Sequence, residues 1–146
     1  MIISESILIN TSSRVIWKYL LDIKNRKDYI PALEEVIMLT PLPIRLGSQY
    51  IEVAEIGGRR LKTTYEIKEL EPYKYAMAQT IDSIFPIKAE TLLTDMNNGQ
   101  TELRIDLDFK LKGIFKMASG IVGGIVRTQA RGILKKVKGN IEMMDQ

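Results

Sequence analysis

Apolar and polar residues recur along this chain with two different periods, and the change of period divides it into elements. From Thr101 to Leu111, Leu103, Ile105, Leu107, Phe109 and Leu111 alternate with Glu102, Arg104, Asp106, Asp108 and Lys110. A period of two is that of a strand with one buried and one wet face. Beyond Gly113 the period lengthens. Ile114, Ala118, Ile121, Ile125, Val126, Ala130, Ile133, Val137, Ile141 and Met144 are separated mostly by three or four residues. That spacing places them on one face of a long helix over 113–144. Lys116, Arg127, Arg131, Lys135 and Lys138 occupy the opposite face. Glycines at 113, 120, 123, 124, 132 and 139 punctuate the stretch. Each interior glycine costs roughly 1 kcal/mol relative to alanine. A helix that accepts this cost is expected to need thin places, for close packing on a sheet or for space beneath it.

The earlier part of the chain reads mainly as strands. Residues 2–10 alternate, with Ile3, Glu5, Ile7 and Ile9 on one face. Asn10, Thr11 and Ser12 offer N-caps, and Val15, Ile16, Tyr19 and Leu20 then space as a short helix ended by Asp22. Residues 24–30 form a second short helical piece closed by Pro31. Leu33–Thr40 returns to a strand. Ser48–Ile56 and Arg59–Leu70 meet across Gly57-Gly58 as a hairpin. Tyr75–Ile81 follows, then a strand from Pro86 to about Asp95, and Asn97-Asn98-Gly99 turns the chain into 101–111. The order is one strand, two short helices, six strands and one long helix. It predicts a single α+β domain over 1–146, with a curved antiparallel sheet of about seven strands wrapped around the C-terminal helix. Such an arrangement leaves a concave, mostly apolar space of the kind that small ligands occupy.

Composition narrows the chemistry. The chain is 45% hydrophobic and 27% charged, as ordered globular proteins are. It has neither cysteine nor histidine. Disulfides, thiol nucleophiles, histidine triads and imidazole metal sites are excluded. No cofactor and no metal are expected. The net charge of +3 conceals an asymmetry: between Lys110 and Lys138 there are eight Lys or Arg and no Asp or Glu. This basic face offers peripheral contact with an anionic membrane. We favour a solvated outer face, with cations suited to the helix C-terminus. Nucleic acid is not an expected partner, because there is no interleaved aromatic and no binding motif. The segment MIISESILIN lacks a basic n-region. The longest uncharged stretch, 117–126, is about half the length of a membrane span. A soluble, cytoplasmic protein is the expectation.

Strand alternation nominates inward-facing groups. If Leu61 and Ile67 face the interior, so do Thr63 and Tyr65; if Met77 and Ile81 do, so does Gln79. Tyr50 shares a face with Glu52, and Glu5 with Ile7 and Ile9. With Leu107, Phe109, Met117, Ile121 and Ile125, the residues Tyr50, Thr63, Tyr65, Met77 and Gln79 form the expected cavity lining. Glu5, Glu52 and Tyr65 are the candidates for acid–base work, since a buried carboxylate can have a raised pKa. The plainer account makes Tyr65 and Gln79 satisfied polar groups at the cavity edge and Glu5 an exposed strand end. Asp106 and Asp108 are best read as cross-strand salt-bridge partners.

The stretch SILINTSSRVIWKYLLDIKNRKDYIPALEEV, with Ile16-Trp17, Asp22, Tyr29 and Pro31, resembles the opening of the START-like (SRPBCC) superfamily. That superfamily includes the birch-pollen-allergen and polyketide cyclase/dehydrase branches. Gly47, the Leu70-Glu71-Pro72 turn, Gly99-Gln100-Thr101-Glu102-Leu103 and the glycine-rich last helix extend the likeness over essentially the whole chain. The resemblance implies a helix-grip fold with a deep hydrophobic tunnel for lipids, sterols, polyketides, quinones or hormones. It implies catalysis only in some members, and the absence of histidine departs from cyclase-like proton transfer. Binding or transport of a hydrophobic small molecule, lipid-, polyketide- or quinone-like, is therefore the expected function. The alternatives are a cyclase or dehydratase using Tyr65 with Glu5 or Glu52, and a protein-interaction module.

Overall fold

The computed structural model describes residues 1–83 and 85–144. Its strands are β1 (Ile2–Ile9), β2 (Leu33–Met38), β3 (Gln49–Ile56), β4 (Arg59–Glu71), β5 (Tyr75–Ile81), β6 (Ile87–Asp95) and β7 (Thr101–Phe109). They form one antiparallel sheet in the order β1-β7-β6-β5-β4-β3-β2. Helix α1 (Ser13–Leu21) and a 3₁₀ turn (Ile23–Asp28) separate β1 from β2. The chain ends in α2 (Ile114–Met117) and α3 (Ser119–Met144).

Local chemistry explains the boundaries. The Ser12 hydroxyl accepts the Val15 amide at 3.4 Å and caps α1. Asp22 ends α1, and its carboxylate accepts the Lys24 amide at 3.1 Å to open the 3₁₀ turn. The single long helix expected over 113–144 is instead two. The chain leaves helical geometry at Ala118 (φ −98°, ψ 18°), so the one-turn α2 and the 26-residue α3 do not share a phase. The apolar residues before and after Ala118 therefore do not continue one stripe into the interior.

The solid core lies under the C-terminal half of α3. Leu134, Val137 and Ile141 pack there with Ile16, Trp17 and Tyr19 of α1, Ile9 of β1, Leu93 of β6 and Leu103 of β7. At the edge of the sheet, Glu5 on β1 accepts from Arg127 Nη1 at 2.8 Å and from Arg131 Nε at 3.1 Å. Hydrogen bonds from these guanidinium groups hold the Glu5 carboxyl below its ordinary range, Arg127 contributing most. Lys138 donates to the Leu8 carbonyl and pairs with Glu142. Three cations of the face read as solvated are thus tied to β1 or to their own helix.

The glycines divide in the same way. A Cβ at Gly123 would lie 3.0 Å from the Met1 sulfur, so this position alone among those of α3 meets a neighbour. Gly120, Gly124, Gly132 and Gly139 face open space. Of the two reasons expected for thin places, close packing therefore holds at Gly123 and not at Gly120 or Gly124. Gly124→Ala and Gly139→Ala are expected to raise unfolding free energy by about 0.5–1 kcal/mol each, and the bulkier Gly123→Val to lower it. Denaturant titration of the three variants checks this.

Candidate ligand-binding cavity

Toward the N-terminal half of α3 the helix and the sheet separate, and a cavity of about 570 Å³ opens between them. This volume lies within the range of small-molecule sites. Most of its wall is apolar. Val122, Val126 and Ile133 of α3 form the roof, and Ile105, Leu107 and Phe109 of β7 part of the floor. Ala76 and Ala78 of β5 and Ala89 of β6 also line it, and their small side chains leave the volume empty. Phe85 and Phe115 stand edge to face at the wall, ring centres 5.4 Å apart.

The polar corner is built by the 3₁₀ turn, β3 and β4. In a 3₁₀ helix, residues three apart eclipse one another. Ile23, Arg26 and Tyr29 therefore all face the cavity. Arg26 donates from Nε and Nη2 to the two carboxylate oxygens of Glu52, at 3.1 and 3.2 Å. Its Nη1 reaches the Tyr29 hydroxyl at 3.4 Å. Its guanidinium also lies over the ring of Tyr50, 5.6 Å from the centroid, and beside that of Tyr29 at 5.9 Å. Side-chain exposures of 20% for Arg26 and 12% for Glu52 are what remains where both line the cavity. Burial alone would lower the arginine pKa, but Tyr50, Glu52 and Tyr29 outweigh it, so the net shift is upward and Arg26 stays cationic.

Tyr50 and Tyr65 are direct cross-strand partners whose rings stack with centroids 5.6 Å apart. A β-bulge between Ile67 and Glu69 shifts the phase of β4, so that Tyr65, Ile67 and Leu70 all face the same wall. Neither the Tyr50 nor the Tyr65 hydroxyl has a hydrogen-bond partner among the described residues. Burial pushes the Tyr50 phenol up to about 12, with Arg26 opposing the shift. Tyr65 is raised further, first by burial and then by the negative charge of Glu52. Both phenols are therefore protonated donors at neutral pH.

The expected site residues separate into three groups. Tyr50, Tyr65, Leu107, Phe109 and Glu52 line the cavity. Thr63, the register partner of Glu52, is half-buried outside its wall. Met77 and Gln79 lie on the other face of β5, because Ala76 and Ala78 take the inner one; Met77 is buried there and Gln79 exposed. Met117, Ile121 and Ile125 are turned outward, 92%, 71% and 54% exposed, because the break at Ala118 assigns the roof to Val122 and Val126. Glu5 lies under α3 with its two arginines, outside the cavity. Arg26 did not stand out in the sequence. The signal was the i, i+3 series Ile23-Arg26-Tyr29, visible once 24–30 is taken as 3₁₀ rather than α. Asp106 is held by Arg104, at 2.7 Å, and by Ser4. No cluster of three or more metal-ligating side chains occurs among the described residues. No helix among them is long and apolar enough to cross a membrane.

Residues 1–142 match the family model described as polyketide cyclase / dehydrase and lipid transport. The chain belongs to this family. Its fold is the START-like helix-grip fold, shared with several solved structures. A Thermus thermophilus protein, TTHA0849, superposes with a TM-score of 0.84 at 13% identity, covering 100% of both chains. The Zhui aromatase/cyclase from Streptomyces sp. R1128 gives 0.82 at 16% identity, over 100% of this chain and 96% of that one. A START superfamily protein from Mycobacterium smegmatis gives 0.75 at 16% identity, over 98% of each chain. At these identities the likeness is one of fold. No curated protein matches the sequence.

Two outcomes follow from the polar corner. Glu52→Ala leaves the Arg26 cation buried without its counter-charge and is expected to cost about 3 kcal/mol; urea unfolding with and without the companion change Arg26→Met measures it, the double variant recovering most of the loss. The raised tyrosines also make folding sensitive to alkali. Their stabilising contribution is complete below the ordinary phenol value of 10.0 and is lost as pH rises through the native values, about 12 for Tyr50. Ultraviolet titration is expected to show tyrosinate forming later in the native protein than in the denatured chain.

Proposed function

We propose that the protein binds and carries an apolar small molecule with a hydrogen-bond-accepting end, of the polyketide, quinone or lipid type. The observation that carries this reading is the pair of protonated, unpartnered phenols, Tyr50 and Tyr65, in the polar corner of an otherwise apolar hollow. Phenol donors suit the carbonyl oxygens of a ketone or quinone. The Arg26–Glu52 pair neutralises itself, so the corner favours a neutral polar group over a full charge. The apolar walls supply affinity and the phenols supply orientation.

A second reading is cyclase or dehydratase chemistry. It is supported by Tyr65 and Glu52 facing one cavity and by the family to which the chain belongs. Against it, both Glu52 oxygens accept from Arg26, and no histidine is present to relay protons. Glu5 has no part in either reading.

One experiment addresses both. The protein is titrated with a naphthoquinone or an aromatic polyketone while tryptophan fluorescence is followed; Trp17 lines the cavity. A single binding event is expected. Tyr50→Phe with Tyr65→Phe is expected to weaken it about 30-fold, from two hydrogen bonds of about 1 kcal/mol each. Recovery of the polyketone unchanged supports carriage; a cyclised or dehydrated product made by the wild type but not by Tyr65→Phe supports catalysis. No binding of any apolar ligand overturns the reading.

A further inference from the structure

The junction of α2 and α3 is apolar on both sides. Phe115, Val122 and Val126 face the cavity. Ile114 and Met117 of α2 and Ile121 and Ile125 of α3 are exposed instead, an outer apolar stripe made by two separate helices, with Ile114 78% exposed. None of the described residues covers them. Exposed apolar stripes of this kind mark interaction surfaces. Beside the stripe, Lys110, Lys112 and Lys116 line one shallow surface depression with Met1 and Ser119. None of the three lysines forms an ion pair among the described residues. Phe85 and Phe115, which close the cavity wall next to this surface, are themselves half-exposed.

We infer that this surface docks on an anionic phospholipid bilayer. Apolar side chains flanked by lysines match the boundary between acyl chains and negatively charged headgroups. A second copy of the chain fits poorly, because a two-fold contact here would bring six lysines together around a few apolar side chains. A stable dimer needs about 800 Å² on each partner. The surface also differs from the basic face of α3, whose Arg127 and Arg131 are engaged by Glu5. The inference rests on the cavity reading in one respect: it places the cavity's aromatic wall against the phase from which an apolar ligand would come.

Flotation with phosphatidylcholine vesicles, with and without about one third phosphatidylglycerol, tests it, no cavity ligand being present. The wild type is expected to float with the anionic vesicles and to be released by salt. Lys112→Gln and Lys116→Gln are each expected to weaken binding about fivefold. Met117→Asp with Ile121→Asp is expected to abolish it, while quinone titration in solution stays unchanged. Equal binding to neutral vesicles, or undiminished binding by both sets of variants, overturns the inference. So does concentration-dependent dimerisation of the wild type that Met117→Asp removes, or an acidic protein that takes this surface while vesicles do not. A wild type that floats but binds no quinone would leave the docking surface intact and count against the cavity reading alone.

Discussion

One helix must cover a sheet that is too broad for it to fill. The C-terminal half of α3 meets α1 and the ends of β1, β6 and β7, and there Leu134, Val137 and Ile141 are buried in the main core. That half anchors the molecule. Its N-terminal half spans the curved middle of the sheet, where β5 and β6 present alanines, and the distance is left open. Stability and capacity are thereby weighted toward opposite ends of the same element, with Ile133, Leu134 and Val137 serving both. A fully packed interior would gain more from burial, but it would have no room for a guest.

The hollow needs polar features that survive without one. A lone buried arginine would be costly, and a lone glutamate equally so. Joined through two hydrogen bonds, Arg26 and Glu52 also tie the 3₁₀ turn to β3. The turn is held in place by a contact 26 residues away in sequence, and it supplies Ile23 and Tyr29 to the wall. Around this self-satisfied pair, Tyr50 and Tyr65 keep their donors free. The corner therefore separates groups that hold the structure from groups available to a ligand.

Much of the fold was legible as periodicity. β7 alternates without exception, Gly57-Gly58 and Asn97-Asn98-Gly99 turn where their conformational preferences demand, and the element order implied the antiparallel sheet. The site was legible only in part, for three physical reasons. In β5 the larger residues, Met77 and Gln79, suggested the inner face, whereas a cavity wall is made by small side chains, so Ala76 and Ala78 were the informative positions. In the last segment one apolar series was read across Ala118, where the backbone breaks and the phase is lost; the residues expected inside, Met117, Ile121 and Ile125, come out. Arg26 was hidden by a period of 3.6 applied to a turn whose period is three. Tyr50, Glu52 and Tyr65 were found because alternate residues of a strand share a face whatever the depth.

The bulge in β4 sets the shape of the interior through backbone count. With one extra residue between Ile67 and Glu69, the strand bends and Leu70 joins the wall that Tyr65 begins. A relative lacking that residue would keep Ile67 opposite Ala78 and Leu70 opposite Ala76 in a regular ladder, and would lose the bend that the bulge gives the wall. Single-residue gains and losses at this spot are thus a coarse dial on guest shape, acting before any side chain is exchanged. Diversification within such a scaffold can proceed by indels at one kink, with Tyr65 left untouched two residues upstream and Tyr50 on the neighbouring strand.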